Sequence, residues 1–274
     1  MITCFCCQPS GLGRRALLAS AIAVAAFPAR AQTAPASAGL ADPALIEDLV
    51  AGNRILYDQN VVDGFGHLSV RHNKDPNRYL LSKSMAPALV TADDIIEYDL
   101  DSNPVNANGR TSYLERFIHG EIYKVRPDVM AVVHSHSAGV IPFADTGVPL
   151  RPMNHISSFL GEGVPVFEIR TAAGPASDML IRNAALGKAL AAKLGKHSIM
   201  LMRGHGSVAA AKSIKDVVFR SIYTEVNARM QAEAMKLGKP EFLNAEEAAA
   251  ATKTNEQLVG RPWELWKRHA MAKP

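Results

Sequence analysis

Apolar and polar positions along this chain recur with two periods, one helical and one of strands. Asp42-Pro43 makes a cap and first position for a helix running to about Gln59. Two strands follow around "HLSVRHN" and "RYLLSK", then "DIIEYDLDSNPVN" predicts strand, turn and strand, with Asp101 to Asn103 supplying the turn. In "LERFIHGEIYKV" the apolar positions Phe117, Ile118, Ile122 and Val125 have helical spacing, which Pro127 ends. The run Met130-Ala131-Val132-Val133 reads as a short buried strand, so His134 and His136 fall on one side of it and Ser135 on the other. "VPVFEIR" predicts a strand, "SDMLIRNAALGKALAAKLG" an amphipathic helix closed by Gly195, and "SIMLMRGHGSVAAA" two strands meeting at a glycine-rich bend. A long helix from about Ser213 to Leu237 follows, and the tail places Trp263 and Trp266 on one helical face, packed on the core or a neighbouring subunit. Strands alternate with helices, but several connections have hairpin character. The expected fold is therefore α/β, a mixed sheet covered by helices, not a doubly wound parallel one.

The first thirty-one residues follow a different rule. A paired arginine (Arg14, Arg15), the apolar stretch Ala16 to Phe27 and the small-residue ending Ala29-Arg30-Ala31 predict a twin-arginine signal peptide cleaved near Gln32. The apolar stretch is shorter than the roughly 20 residues needed to cross a bilayer, so no membrane anchor is expected after cleavage. Residues 32–42 form a linker, and residues 43–274 a single catalytic domain with a C-terminal helical tail. Without the leader the formal charge falls from +4 to +1, which removes support for nucleic-acid binding. Cys4, Cys6 and Cys7 leave with it, so disulfides, thiolate ligands and cysteine nucleophiles are excluded together. The expected location is the periplasm.

Candidate chemistry then rests on nine histidines. His72, His197 and His269 read as structural. His134 and His136, as adjacent same-side positions of a strand, can reach one ion, although H-x-H alone is a weak signal. His205 lies between Gly204 and Gly206 after an apolar strand, where flanking glycines let the backbone approach closely. Three imidazoles with an open position are the layout of a catalytic divalent site. Spacing leaves Glu115 open between a first-turn acid favoured by the helix dipole and a metal ligand that carries protons; His119 lies one turn later on the same face.

"YLERFIHGEIYKVRPDVMAVVHSHS", followed by "LMRGHGSVA" and preceded by "GHLSVR", resembles the class II aldolase/adducin family over roughly residues 43–240. The resemblance implies a three-layer α/β/α sandwich, a homotetramer or other homo-oligomer, and a divalent ion on His134, His136 and His205. Glu115 matches the family's catalytic acid/base, which can also touch the ion. Zinc is expected first, with manganese, iron and cobalt also compatible. At the places where sugar-phosphate aldolases of the family seat phosphate, this chain has His67, Ser84-Met85 and Tyr113-Leu114. A phosphate would lose charged hydrogen bonds worth about 1.5 to 3 kcal/mol each, so the substrate is expected to lack one.

"LLSKSMAP", "FGHLSVR", "LMRGHG" and "IYTEVNAR" resemble the branch containing decarboxylases of ring-cleavage products and dihydroxyphthalates. Lys83 and Arg203 are candidates to hold a substrate carboxylate, and Ser84 joins the substrate-facing set. His67, His119 and His155 either touch substrate or support the ligands from behind. Tyr223 and Glu225 read as packing and helix-face residues. The expected reaction is decarboxylation of a small, anionic hydroxy- or oxo-carboxylic acid through a metal-stabilised enolate, with Glu115 moving a proton at carbon provided its pKa is raised. The alternatives are aldol cleavage of an unphosphorylated hydroxy-carbonyl compound, and a non-catalytic metal-binding scaffold of the adducin type.

Overall fold

The computed structural model describes residues 35–272; the expected leader and its expected cleavage point lie outside them. Residues 35–42 have no regular secondary structure but are tied to the sheet edge. Glu97 accepts from Ser37 Oγ at 2.6 Å and from Ala38 N–H at 2.8 Å, and Arg78 donates to the Ala36 carbonyl. Helix α1 (Pro43–Asp58) begins where expected, with Pro43 at its first turn, but the Asp42 side chain makes no capping bond.

Strands β1 (His67–Arg71), β2 (Arg78–Ser82) and β3 (Ile95–Asp99) form an antiparallel meander. The second strand expected after Asp101–Asn103 is reduced to a single bridge between Tyr98 and Pro104. Proline has no N–H to extend a ladder there. A 3-10 turn (Leu114–Arg116) leads into α2 (Phe117–Val125), then β4 (Ala131–Ser135) and the short α3 (Ile141–Thr146). A 3-10 segment (His155–Glu162) precedes β5 (Val166–Phe167) and the four-residue α4 (Arg170–Ala173).

Helix α5 spans Ala184–Leu194, seven residues later than the sequence pattern places its start. Asn183 caps it by accepting from Leu186 N–H, and Met179 has φ +73°, so Ser177–Arg182 is a loop. Strands β6 (Ile199–Met202) and β7 (Gly206–Ala211) form the expected hairpin. Helix α6 (Ile214–Leu237) starts at a Ser213 cap, followed by α7 (Ala245–Glu256) and α8 (Gly260–Met271).

The seven strands make one mixed sheet in the order β3-β2-β1-β4-β7-β6-β5, with β5–β6 the parallel pair. Period-2 alternation sends Leu68, Leu80, Val133, Leu201 and Ala209 to one face, under α1, α6 and α8. Tyr79, Leu81, Val132, Met200 and Val208 go to the other, under α2 and α5. A three-layer α/β/α sandwich results. Trp263 is buried in the first core and Trp266 packs partly against it. Each fully buried aliphatic side chain contributes about 1.5 to 3 kcal/mol, so polar residues inserted into these faces need strong compensation. His67, Ser69 and His134 are such residues, all on the α2 face.

Candidate metal centre

Sheet register assembles the histidines. His134, the fourth residue of β4, pairs with His67 of β1 on one side and Val208 of β7 on the other. His136 lies one residue beyond the strand end, so the expected H-x-H strand geometry holds for His134 and is completed by the loop. The β6–β7 hairpin brings His205 alongside. Gly204 turns the chain with φ +63°, and at Gly206 any Cβ would stand 2.0 Å from the Ser135 carbonyl oxygen. Gly204 is therefore required by the turn, and Gly206 by the close crossing of β7 past β4.

The three Nε2 atoms converge, 3.1 Å apart for His134–His136 and 3.0 Å for His136–His205. Glu115 Oε2 stands 3.3 Å from His134 Nε2 and 3.4 Å from His205 Nε2. His134 Nδ1 donates to the Ser207 carbonyl at 3.1 Å, and His205 Nδ1 donates to the Met179 carbonyl at 2.9 Å. These bonds place a proton on Nδ1 of each ring, so a ring with no second proton turns an Nε2 lone pair toward its neighbours and toward a carboxylate. Acceptors facing acceptors in a buried site repel unless a cation joins them. Nitrogens bound at about 2.1 Å to one divalent ion lie roughly 3.0 to 3.4 Å from one another, which fits the observed spacing. Among the described residues, Glu115, His134, His136 and His205 are the grouping whose donor atoms fall within 4.8 Å.

Glu115 sits in the 3-10 turn ahead of α2, not in the first turn of the regular helix. Its other oxygen accepts from Ile181 N–H at 2.9 Å, so the loop misread as helix supplies both a carboxylate donor and, through Met179, a histidine acceptor. Burial pushes the Glu115 carboxyl up, but positive charge on the facing His134 and His205 rings, with their hydrogen bonds, more than reverses this and holds it well below the usual range; with the rings neutral, a cation would supply that positive charge. The expectation of a raised pKa is thereby corrected: Glu115 is an ionised carboxylate. Burial, then the neighbouring His134 and His205, lowers His136 to about 4.

Behind the ligands, His67 and His119 are both buried, and His67 Nδ1 lies 2.6 Å from His119 Nε2. Burial, with His134 next, lowers His119 to about 3; burial, with His119 next, holds His67 well below its ordinary value. The other expected substrate residues are placed differently. Lys83 pairs with Asp94 at 2.8 Å. Arg203 Nε lies 2.5 Å from Glu168 Oε2, off the hydrogen-bond axis, because the parallel register of Phe167 with Met202 sets Glu168 beside Arg203. Ser84 is exposed, its N–H donating to the Thr111 carbonyl. His155 is exposed at the start of its 3-10 segment, where its carbonyl accepts from Asn255 Nδ2.

Sequence reasoning undervalued Glu225. It is 3% exposed and accepts from Ser137 Oγ and from Gly139 N–H at 3.0 Å, tying α6 to the loop that carries His136. Its helical position gives no sign of this. Tyr223 packs against Phe219 and Trp266 as expected. Phe65, 67% exposed in the loop before β1, has its ring 6.0 Å from that of His136 and borders the site with apolar surface.

Residues 47–232 match the class II aldolase and adducin N-terminal domain family. A decarboxylase, tropJ, of Talaromyces stipitatus is 37% identical over 246 residues, covering 81% of this chain and 92% of that protein. The 3,4-dihydroxyphthalate decarboxylase of Arthrobacter keyseri is 28% identical, covering 70% of this chain and 79% of that protein. Among solved structures, an L-fuculose 1-phosphate aldolase from Glaciozyma antarctica superposes with a TM-score of 0.69 at 23% identity, covering 82% of this chain and 88% of the other. The shared sandwich, the ordered motifs and these matches together place the chain in the class II aldolase and adducin family, among relatives that include both decarboxylases and aldolases.

Proposed function

We propose that this chain is a divalent-metal-dependent decarboxylase of a small, non-phosphorylated hydroxy- or oxo-carboxylic acid, with a hydroxylated aromatic acid as the preferred form. The observation that carries this reading is the convergence of three Nε2 atoms and one carboxylate, with two of the rings fixed in the ligand tautomer. The similarity to decarboxylases, one of which acts on dihydroxyphthalate, and the exposed Phe65 beside His136 support the choice of reaction and substrate. Zinc is the first choice of ion.

A divalent cation held by His134, His136, His205 and Glu115 would act as a Lewis acid toward negative charge developing on substrate oxygen. Glu115, ionised in the free site, would take the proton of the substrate hydroxyl, whose acidity a bound cation would raise. The bond to the carboxylate carbon then breaks, carbon dioxide leaves, and the electron pair stays on the ring or α-carbon, conjugated with that oxygen. Glu115 returns its proton to this carbon, which balances the reaction without another donor. Burial around the ligands keeps water from competing for the charge.

The chain is further proposed to be exported by the twin-arginine route, with residues 1–31 as leader, and to work as a homo-oligomer. Metal-loaded protein incubated with hydroxylated aromatic acids, aliphatic hydroxy acids and unphosphorylated hydroxy-ketones tests the reaction directly. Carbon dioxide release from an acid is the expected result. Aldehyde without carbon dioxide would assign aldol cleavage instead, and neither product would favour a scaffold.

A further inference from the structure

A chain of buried hydrogen bonds behind the ligands ends at His67. Tyr123 Oη lies 2.8 Å from Ser69 Oγ, Ser69 Oγ lies 2.6 Å from His119 Nδ1, and His119 Nε2 lies 2.6 Å from His67 Nδ1. All four side chains are at most 3% exposed and come from two elements, β1 and α2. Each neutral member owns one mobile hydrogen, so the chain has just two orderings.

Tyr123 decides between them. Its hydrogen can go to Ser69 Oγ at 2.8 Å or to the Met130 carbonyl at 3.5 Å, the outer limit of a useful bond. The short contact wins. Tyr123 then donates to Ser69, Ser69 donates to His119 Nδ1, and His119 donates from Nε2 to His67 Nδ1. His67 is left with its proton on Nε2. Among the described residues that nitrogen has no hydrogen-bond partner, and the ring lies within electrostatic reach of Glu115 and His136, beside the cluster of converging donors. The His67 ring stands 5.2 Å from His134, centre to centre.

We infer that His67 is a neutral Nε2–H donor directed at the substrate oxygen beside the metal centre, and that His119, Ser69 and Tyr123 are positioning residues that fix its tautomer. This rests on the decarboxylase reading for the identity of the oxygen, the hydroxyl or carbonyl oxygen that gains charge as carbon dioxide leaves. A neutral donor fixed in advance needs no reorganisation when charge develops there. The reversed ordering would present a lone pair instead and repel the same oxygen.

Nitrogen-15 NMR of the zinc-loaded protein carrying labelled histidine tests the assignment without any substrate. Long-range proton–nitrogen correlations distinguish the two tautomers. The expected result is Nε2–H for both His67 and His119 in the wild type. Tyr123→Phe, which removes only a hydroxyl, and Ser69→Ala should turn His67 into a mixture of tautomers. Metal content should stay unchanged, and turnover should fall by about 10-fold or more. His67 protonated on Nδ1 in the wild type, or an unchanged His67 signal in both variants, would overturn the inference. Because the spectrum requires no reaction, a failure to find decarboxylation would leave this result readable, and the two failures remain distinct.

Discussion

Two sets of side chains read from the same motifs end in opposite states. The ligand set, His134, His136, His205 and Glu115, points its donor atoms at one another, and Nδ1 of His134 and of His205 is occupied by a backbone carbonyl. The basic set, Lys83 and Arg203, is already neutralised, by Asp94 and Glu168. The first arrangement brings together donor atoms that could hold a cation and is built on strand register. The second is complete as it stands and depends on which acid a neighbouring loop delivers. A buried set of converging acceptors thus indicates a ligand, whereas a cation near a site does not by itself indicate an anion.

Removing a ligand should break the contrast most severely. His136→Ala is expected to lose stoichiometric metal, by elemental analysis, and to drop turnover to background. Glu115→Gln should keep the metal and lose about 10²-fold or more in turnover, in a single-turnover assay. Full activity in that variant would remove Glu115 from the proton transfer.

Acid should then distinguish the buried imidazoles from the half-buried ion pairs. His119 and His136 have folded values of about 3 and about 4, below the ordinary 6.5. The unfolded chain binds their protons first, so this stabilisation is full above pH 6.5 and is lost as pH falls toward 3. Denaturant midpoints of metal-free protein should drop between pH 6.5 and 4 and show no such slope between pH 7 and 8. Glu225→Gln should lower stability by about 1 to 3 kcal/mol in urea unfolding and weaken metal retention, because Ser137 and Gly139 lose a charged acceptor. The smallest effect is expected from Arg203→Met or Lys83→Met, each under about 1 kcal/mol in stability, with KM changed less than kcat is by Glu115→Gln. A large rise in KM in either variant would show that substrate draws the cation from its acid.

The mixed sheet and the convergence of His134, His136 and His205 were legible because they depend on local patterns. Alternating apolar residues fix which face each strand residue takes, and Gly204 and Gly206 around His205 mark a close backbone crossing. The start of α5 was not legible from apolar spacing, since Met179, Leu180 and Ile181 continue the pattern; the Asn183 cap and the positive φ of Met179 decide it. That error hid the loop that holds Glu115 and His205. The Glu168–Arg203 pair depends on the β5–β6 register, and the burial of Glu225 on where α6 lies, both set by tertiary packing. The leader lies outside the described residues and stands on its sequence pattern alone.

The central claim is that one divalent cation completes the four-donor cluster, and anomalous diffraction from crystals of zinc-loaded protein tests it most directly. A single strong peak is expected about 2.1 Å from Nε2 of His134, His136 and His205, absent in His136→Ala. No peak there, with the three rings still converged, would contradict it.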